Sequence, residues 1–252
     1  MSKFHQSNDG PPQVLRELYL DSLPEPQEHF FESQVSVGTT WEAKDIAYAV
    51  TNGDSLVELY VVESQRHRLV RLFNEIMGLS GASKVLCKEF DRQLLHASLS
   101  RPAHVSPFAF LFRKIVDATF QPLPDIYFRN GTAEDSQAIL AIDDEFFHDS
   151  EEIAEYASHN GLFVLESNDA ILGCGIAKPV IQGRPDVDIG MLVAPDHRRK
   201  GYGTHIVSFL KDYYLRQGKR PICGCGADNI ASQRTLTNAG FFCEYRGLRI
   251  TY

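Results

Sequence analysis

The chain has 252 residues, a formal net charge of −8, 43% hydrophobic residues and 23% charged residues. These proportions suit a protein with a real core, in one large domain or two small ones. The acidic balance argues against general nucleic-acid binding, and no apolar run approaches the ~20 residues of a membrane-spanning helix.

The first residues lack the apolar stretch of a signal peptide, so a cytoplasmic protein is expected. The five cysteines, Cys87, Cys174, Cys223, Cys225 and Cys243, lie in apolar, strand-like settings and read as buried free thiols. Cys223-Gly224-Cys225 has no second ligand pair at matching spacing, so no metal is expected.

In chain order, residues 1–12 are polar, end in Gly10-Pro11-Pro12 and read as a mobile tail. Gln13–Ser22 reads as a short helix, broken by Pro24 and Pro26. Tail and helix together make a leading segment, 1–29. Two strands, Glu42–Val50 and Ser55–Val62, flank the hairpin signal Asn52-Gly53-Asp54. Gln65–Met77 has helical spacing (Leu69, Leu72, Phe73, Ile76) and stops near Gly78 and Gly81. A strand at Ser83–Phe90, a helix at Arg92–Leu99 and a strand at Pro107–Ile115 follow. Pro122 and Pro124 mark a linker, which sets a domain boundary at about residue 122. An accessory α/β domain over 30–121 and a second domain over 122–252 are expected.

Past the linker, Ile126–Asn130 reads as a strand. Thr132 caps a helix with acids in its first turn, running to about Phe146. A helix at Ser150–Ser158 precedes strands at Leu162–Glu166 and Ile171–Val180, joined by an Asn168-Asp169 turn. Then come a strand at Asp186–Val193, a helix at Gly201–Arg216 and a strand at Pro221–Ala227. The helix Asn229–Asn238 stops at Ala239-Gly240, and Phe241–Tyr252 forms the last strand or hairpin. Strands alternating with helices imply a mixed α/β sheet with helices on both faces.

The stretch Met191–Thr204 carries the clearest chemistry. An apolar strand ends at Pro195, a basic glycine-bearing turn follows, and a helix begins. Backbone N–H groups at such a turn form an anion site, and the glycines let a ligand approach closely. Arg198, Arg199 and Lys200 are unfavourable at a helix start unless an anion lies there. The spacing fits neither the nucleoside-triphosphate loop nor the dinucleotide fingerprint, since Ile206 stands where the third glycine of the latter belongs.

Val193, Pro195, Arg198, Gly201 and Gly203 supply V-x-P-x-x-R-x-x-G-x-G in register. This resembles motif A of the GNAT superfamily of N-acetyltransferases, which bind acetyl-CoA. Asn229, Ser232 and Gly240-Phe241 are similar to that superfamily's second signature. The resemblance covers about residues 126–252 and implies a GNAT acyl-CoA N-acyltransferase fold there. It implies that backbone amides from Arg199 through Lys200, Gly201, Tyr202 and Gly203 to Thr204 cradle the CoA diphosphate beside Arg198. It implies that the strand edge Met191, Leu192 and Val193 bonds the pantetheine arm as an added strand. A backbone N–H near Val193 would face the thioester oxygen, with Asn229 on the pantetheine side and Ser232 near the CoA phosphates.

Transfer to an amine needs a base and a donor for the departing thiolate. Family members often carry a tyrosine seven residues after the motif asparagine; here that residue is Leu236. Tyr245, Cys225 or a water stand as substitutes, with Tyr245 taken as the catalytic acid. For the base, Asp186 and Asp188 share one face of the strand by alternation, and Asp188 is nearer the expected thioester. The acids Asp143, Asp144, Glu145, Asp149, Glu151 and Glu152 read either as a solvated face or as an attractor for a cationic amine.

The N-terminal half echoes the same pattern. Glu58–Arg68 parallels Gly190–Lys200, with Arg66 opposite Arg198, but Leu69 and Arg71 replace Gly201 and Gly203. A degenerate GNAT-like half without a diphosphate cradle is expected, hence one CoA site per chain. The resulting expectation is an N-acetyltransferase moving acetyl from acetyl-CoA to a primary amine in a ternary complex. The acceptor would be a small molecule or peptide, the protein a monomer or homodimer, with neither nucleic acid nor membrane as partner. The alternative is a catalytically weak acyl-CoA-binding regulatory module.

Overall fold

The computed structural model describes residues 4–116, 123–168 and 170–252. The expected boundary at about residue 122 and the Asp169 position of the predicted turn lie outside them. The chain divides into two compact units. One comprises Met1–Leu111, Gly226–Asp228 and Tyr245–Tyr252; the other comprises Phe112–Cys225 and Asn229–Glu244.

The first unit begins with β1 (His5–Ser7), α1 (Gln13–Ser22), α2 (His29–Ser36), β2 (Thr39–Ala43), β3 (Ala47–Asn52) and β4 (Ser55–Val61). A 3-10 turn, Glu63–Arg68, leads into α3 (Leu69–Ser80), followed by β5 (Lys84–Lys88), α4 (Arg92–Ser98) and β6 (His104–Ile115) as far as Leu111. Strands β1 to β4 form an antiparallel meander, and β5 lies parallel to β4. The other edge of β5 pairs antiparallel with Gly247–Thr251, from the end of the chain. Leu69, Leu72, Phe73 and Ile76, three and four residues apart, give α3 one apolar face, which packs with Leu56, Leu59, Val85 and Cys87. Full burial of each such side chain contributes about 2 kcal/mol.

A second set of buried side chains in this unit is polar. Glu58, in β4, accepts from Tyr48 Oη at 2.9 Å, Gln27 Nε2 at 2.8 Å and Arg16 Nη2 at 3.3 Å. Arg16 Nη2 also reaches both oxygens of Glu32, at 2.8 and 2.9 Å. Lys88 donates to Gln27 and to Tyr19 Oη, and Tyr19 donates to Asp91 at 2.7 Å. Glu58, Lys88 and Asp91 are all at most 1% exposed. Buried charges persist only when paired and hydrogen-bonded, and this network supplies those partners. It ties α1 and α2 to the sheet.

Three expectations change here. The polar start is no free tail: His5–Ser7 pairs with Thr40–Glu42 and Phe4 is buried in the core. Glu42–Val50 is not one strand, because Asp45 at φ 57° turns the chain between β2 and β3. Helix α2 was not expected at all. It has no side-chain cap, and Glu32, bound to Arg16, holds it from outside.

The second unit runs β7 (Tyr127–Asn130), α5 (Ser136–Ala141), α6 (Ser150–Ser158), β8 (Leu162–Ser167), β9 (Ala170–Pro179) and β10 (Asp186–Val193). Then come α7 (Tyr202–Arg216), β11 (Arg220–Gly226), α8 (Ile230–Asn238) and β12 (Phe241–Thr251), the last belonging to this unit as far as Glu244. Strands β7 to β10 are antiparallel in sequence order. Ile139, Phe147, Ile153, Leu162, Val164, Cys174 and Leu192 form one core cluster, and α7 buries Ile206, Val207 and Leu210.

Thr132 stands at the expected N-cap, where it forms a capping box with Asp135, but the helix stops at Ala141, not near Phe146. The Asp143 carboxylate accepts from the N–H groups of Asp144, Phe146 and Phe147 at 2.8, 3.0 and 2.9 Å. That local side-chain bonding takes the backbone out of the helix. None of the five cysteines forms a disulfide; Cys87, Cys174 and Cys223 are buried, whereas Cys225 and Cys243 are partly exposed. Among the described residues, no helix is long and apolar enough to cross a membrane.

Candidate functional site

The second unit holds its candidate site where two parallel strands part. β10 and β11 pair only over Asp186–Asp188 and Arg220–Ile222. Beyond that, Ile189–Val193 keeps its ladder to β9, so the edge of Met191–Val193 that turns away from β9 has no described strand beside it. An extended ligand with amide groups could add to that edge.

The chain leaves this edge through a 3-10 turn, Pro195–His197, and enters α7 at Tyr202. Between them Arg199 (φ 62°) and Gly201 (φ 88°) both adopt left-handed backbone. Such a conformation turns successive N–H groups into one concavity. The first amide of α7 with a described intrahelical partner is that of His205, which donates to Gly201 O at 3.0 Å. The amides from Arg199 to Thr204 have no acceptor among the described residues. Open donors at the start of a helix of 15 residues fit a diphosphate. Gly203 is closely packed: a Cβ there would lie 3.1 Å from Thr235 Cγ2, which would have to give by a few tenths of an ångström, and in ordinary contact, 3.6 Å, with Val193 Cγ2.

Arg198 and Lys200 are partly engaged by the protein. Arg198 Nε donates to Val193 O at 3.2 Å, and its Nη1 meets Asp144 Oδ2 at 3.0 Å. Lys200 Nζ donates to Asp196 O at 3.0 Å. Asn229 caps α8, its Oδ1 accepting from Ser232 N at 2.9 Å. The two motif residues are thus joined to each other at the helix start, and Ser232 is half-buried.

The two strand carboxylates differ. Asp186 is buried, and burial pushes its pKa up, against the opposing pull of Arg220, Arg113 and Arg184. Asp188 is half-buried, opposite Lys178 on β9 and Ile222 on β11. The Tyr156 hydroxyl is held protonated well above its ordinary range, first by burial and then by the charges of Glu152 and Asp188. Tyr156 therefore lies near Asp188 as a donor rather than a base.

Further residues make contacts within their own units. Tyr245 belongs to the first unit, where its ring packs edge-on against Phe90 at 5.3 Å. Leu236 is 1% exposed in the core behind α8. Among the acids, Asp149 caps α6 and Glu152 accepts from His148 N. His205 stacks on Phe128 with ring centroids 5.3 Å apart, and burial lowers its pKa. The reading from sequence missed Asp144 beside Arg198, Phe146 over Gly190 and Tyr156 near Asp188. The Asp143-led turn that places the first two gave the only local signal.

Residues 125–241 match the Acetyltransferase (GNAT) family, and residues 12–115 match an Acetyltransferase (GNAT) domain. No curated protein matches the chain. Among solved structures, an acetyltransferase of the GNAT family from Colwellia psychrerythraea is similar over 99% of both chains, with 16% identity and a TM-score of 0.86. A GCN5-related N-acetyltransferase from Sphaerobacter thermophilus covers 100% of this chain and 96% of its own, with 14% identity and a TM-score of 0.64. A tandem GNAT protein from the clavulanic acid biosynthesis pathway covers 99% of this chain and 97% of its own, at 13% identity and a TM-score of 0.62. At such identities the likeness is one of fold.

Proposed function

We propose, from the premise that this chain belongs to the GNAT acetyltransferase family and carries two domains of it, that the second unit transfers an acetyl group from acetyl-CoA to a primary amine. The observation that carries this reading is the run of unclaimed amides from Arg199 to Thr204 beside an open strand edge. Acetyl-CoA supplies an acyl thioester, whose thiolate leaves readily because thiol pKa values are near 8.5.

In this reading the amides from Arg199 to Thr204 hold the diphosphate, with Arg198 and Lys200 adding charge. Met191–Val193 lines up the pantetheine arm and fixes the distance between acyl carbon and amine. Asn229 and Ser232, at the start of α8, flank the arm and its phosphates. Asp188 takes the proton of the attacking amine, directly or through one water, and the amine attacks in a ternary complex. The reaction needs no metal in this scheme. Five cysteines outside disulfides suit a reducing, cytoplasmic setting.

The test is release of CoA thiol from acetyl-CoA with a panel of primary amines. Release that depends on the amine supports transfer. Tight acetyl-CoA binding with no amine-dependent release sinks it and leaves the second reading, an acyl-CoA-binding module without turnover. Leu236, buried where the family often has tyrosine, is the observation favouring that second reading. If Asp188 is the base, Asp188→Asn lowers kcat at neutral pH about 100-fold and leaves acetyl-CoA affinity unchanged.

A further inference from the structure

We infer that Asp144 is a built-in competitor of the cofactor for Arg198, and that the segment Asp143–Phe147 is a latch lying over the face of β10. This rests on the reading of the β10 edge as the acetyl-CoA site. Three contacts carry it. Asp144 Oδ2 takes Arg198 Nη1 at 3.0 Å, the guanidinium that the family motif directs to the diphosphate. The same guanidinium covers Val193 O through Nε at 3.2 Å, so the last carbonyl of the open edge is engaged. Phe146 Cζ lies 3.3 Å from where a Cβ on Gly190 would stand, so the aromatic ring rests on the strand.

The segment is knotted by its own Asp143, whose carboxylate binds the amides of Asp144, Phe146 and Phe147. It therefore moves as one piece. The Asp144 and Arg198 side chains are 61% and 44% exposed. An ion pair in that much water is weakly held and screened by salt. A diphosphate carries more charge than one carboxylate and is also met by convergent amides, so it displaces Asp144. Release of Asp144 withdraws Phe146 from the face of β10 at Gly190 and frees Arg198 from Val193 O at the strand edge. Cofactor binding and latch opening are then one event.

The test uses the full chain. By titration calorimetry, Asp144→Asn tightens acetyl-CoA binding about 3- to 10-fold, whereas Glu145→Gln, the same loss of charge one residue on, leaves it unchanged. In an Arg198→Gln background, Asp144→Asn has no effect. Unchanged or weaker binding by Asp144→Asn overturns the inference, as does equal tightening by Glu145→Gln, which would be a simple field effect. Asp144 is exposed, so its variant should keep the wild-type circular dichroism. A second readout needs no cofactor: the amides of Phe146 and Phe147 exchange hydrogen faster in Asp144→Asn and Arg198→Gln than in wild type. Equal exchange overturns the latch. Wild-type protein that binds no acetyl-CoA overturns the functional reading instead, and the exchange rates still decide the latch.

Discussion

In the first unit the chain leaves β4 through the 3-10 turn Glu63–Arg68 and enters α3 at the buried Leu69. In the second it leaves β10 and passes Arg199 and Gly201, both left-handed, before α7 begins at Tyr202. No residue from Asp54 to Ser80 has a positive φ. A 3-10 turn uses its own amides in i→i+3 bonds, whereas the left-handed pair points them outward. The strands before the turns differ as well. Glu58 fills the middle of β4 with a buried ion network, while Gly190, its counterpart in the sequence echo, leaves β10 bare under a loop phenylalanine. In one unit the polar groups are consumed by the fold; in the other the amides from Arg199 to Thr204 have no acceptor among the described residues.

The largest test of this contrast is the cradle. Gly203→Glu places a carboxylate in it and should weaken acetyl-CoA binding by about 1,000-fold or more. Calorimetry on the wild type should return one site per chain. Two sites, or unchanged affinity in the variant, would break the comparison.

Next is the strand centre. Glu58→Ala strands Arg16 beside Glu32 alone and removes partners from Gln27 and Tyr48, costing about 3 kcal/mol. Gly190→Ala meets Ile176 Cγ1 at 3.0 Å and Phe146 Cζ at 3.3 Å, both side-chain atoms able to shift, and should cost no more than about 1 kcal/mol. Denaturant unfolding of both variants gives the two costs, and equal losses would contradict the division of roles.

The smallest effect is in pH, and its sign differs between the units. Arg129, with help from the Thr132 amide, holds Asp135 down at about 2, from 3.8. Its contribution to the second unit is therefore present above pH 3.8 and is lost as the pH falls towards about 2. Burial raises Asp91 in the first unit above 3.8. Its contribution is full below 3.8 and is lost as the pH rises through that raised value. Asp135→Asn and Asp91→Asn should flatten the stability profile in opposite directions.

Regular elements with strong local patterning were legible from sequence. Gln13–Ser22, Ser150–Ser158 and Asp186–Val193 have the bounds expected, because apolar spacing and breakers specify them locally. The glycine turn was legible for the same reason, since left-handed backbone favours Gly201. What escaped the reading is held from a distance. His5–Ser7 becomes a strand only through β2, and α2 is secured by Arg16. Asp144 finds Arg198 from 54 positions away, and alternation along Phe241–Tyr252 marks a strand without revealing that β5 is its partner.

That last partnership bears on how the protein is made. The first unit leaves the ribosome first, yet its sheet includes Gly247–Thr251. At about 5–20 residues per second, the nascent first unit waits several seconds or longer, with one edge of β5 uncapped, while the second unit is translated. An uncapped edge is a template for mispairing. Completion of the earlier-made half is thereby timed by translation of the whole second unit.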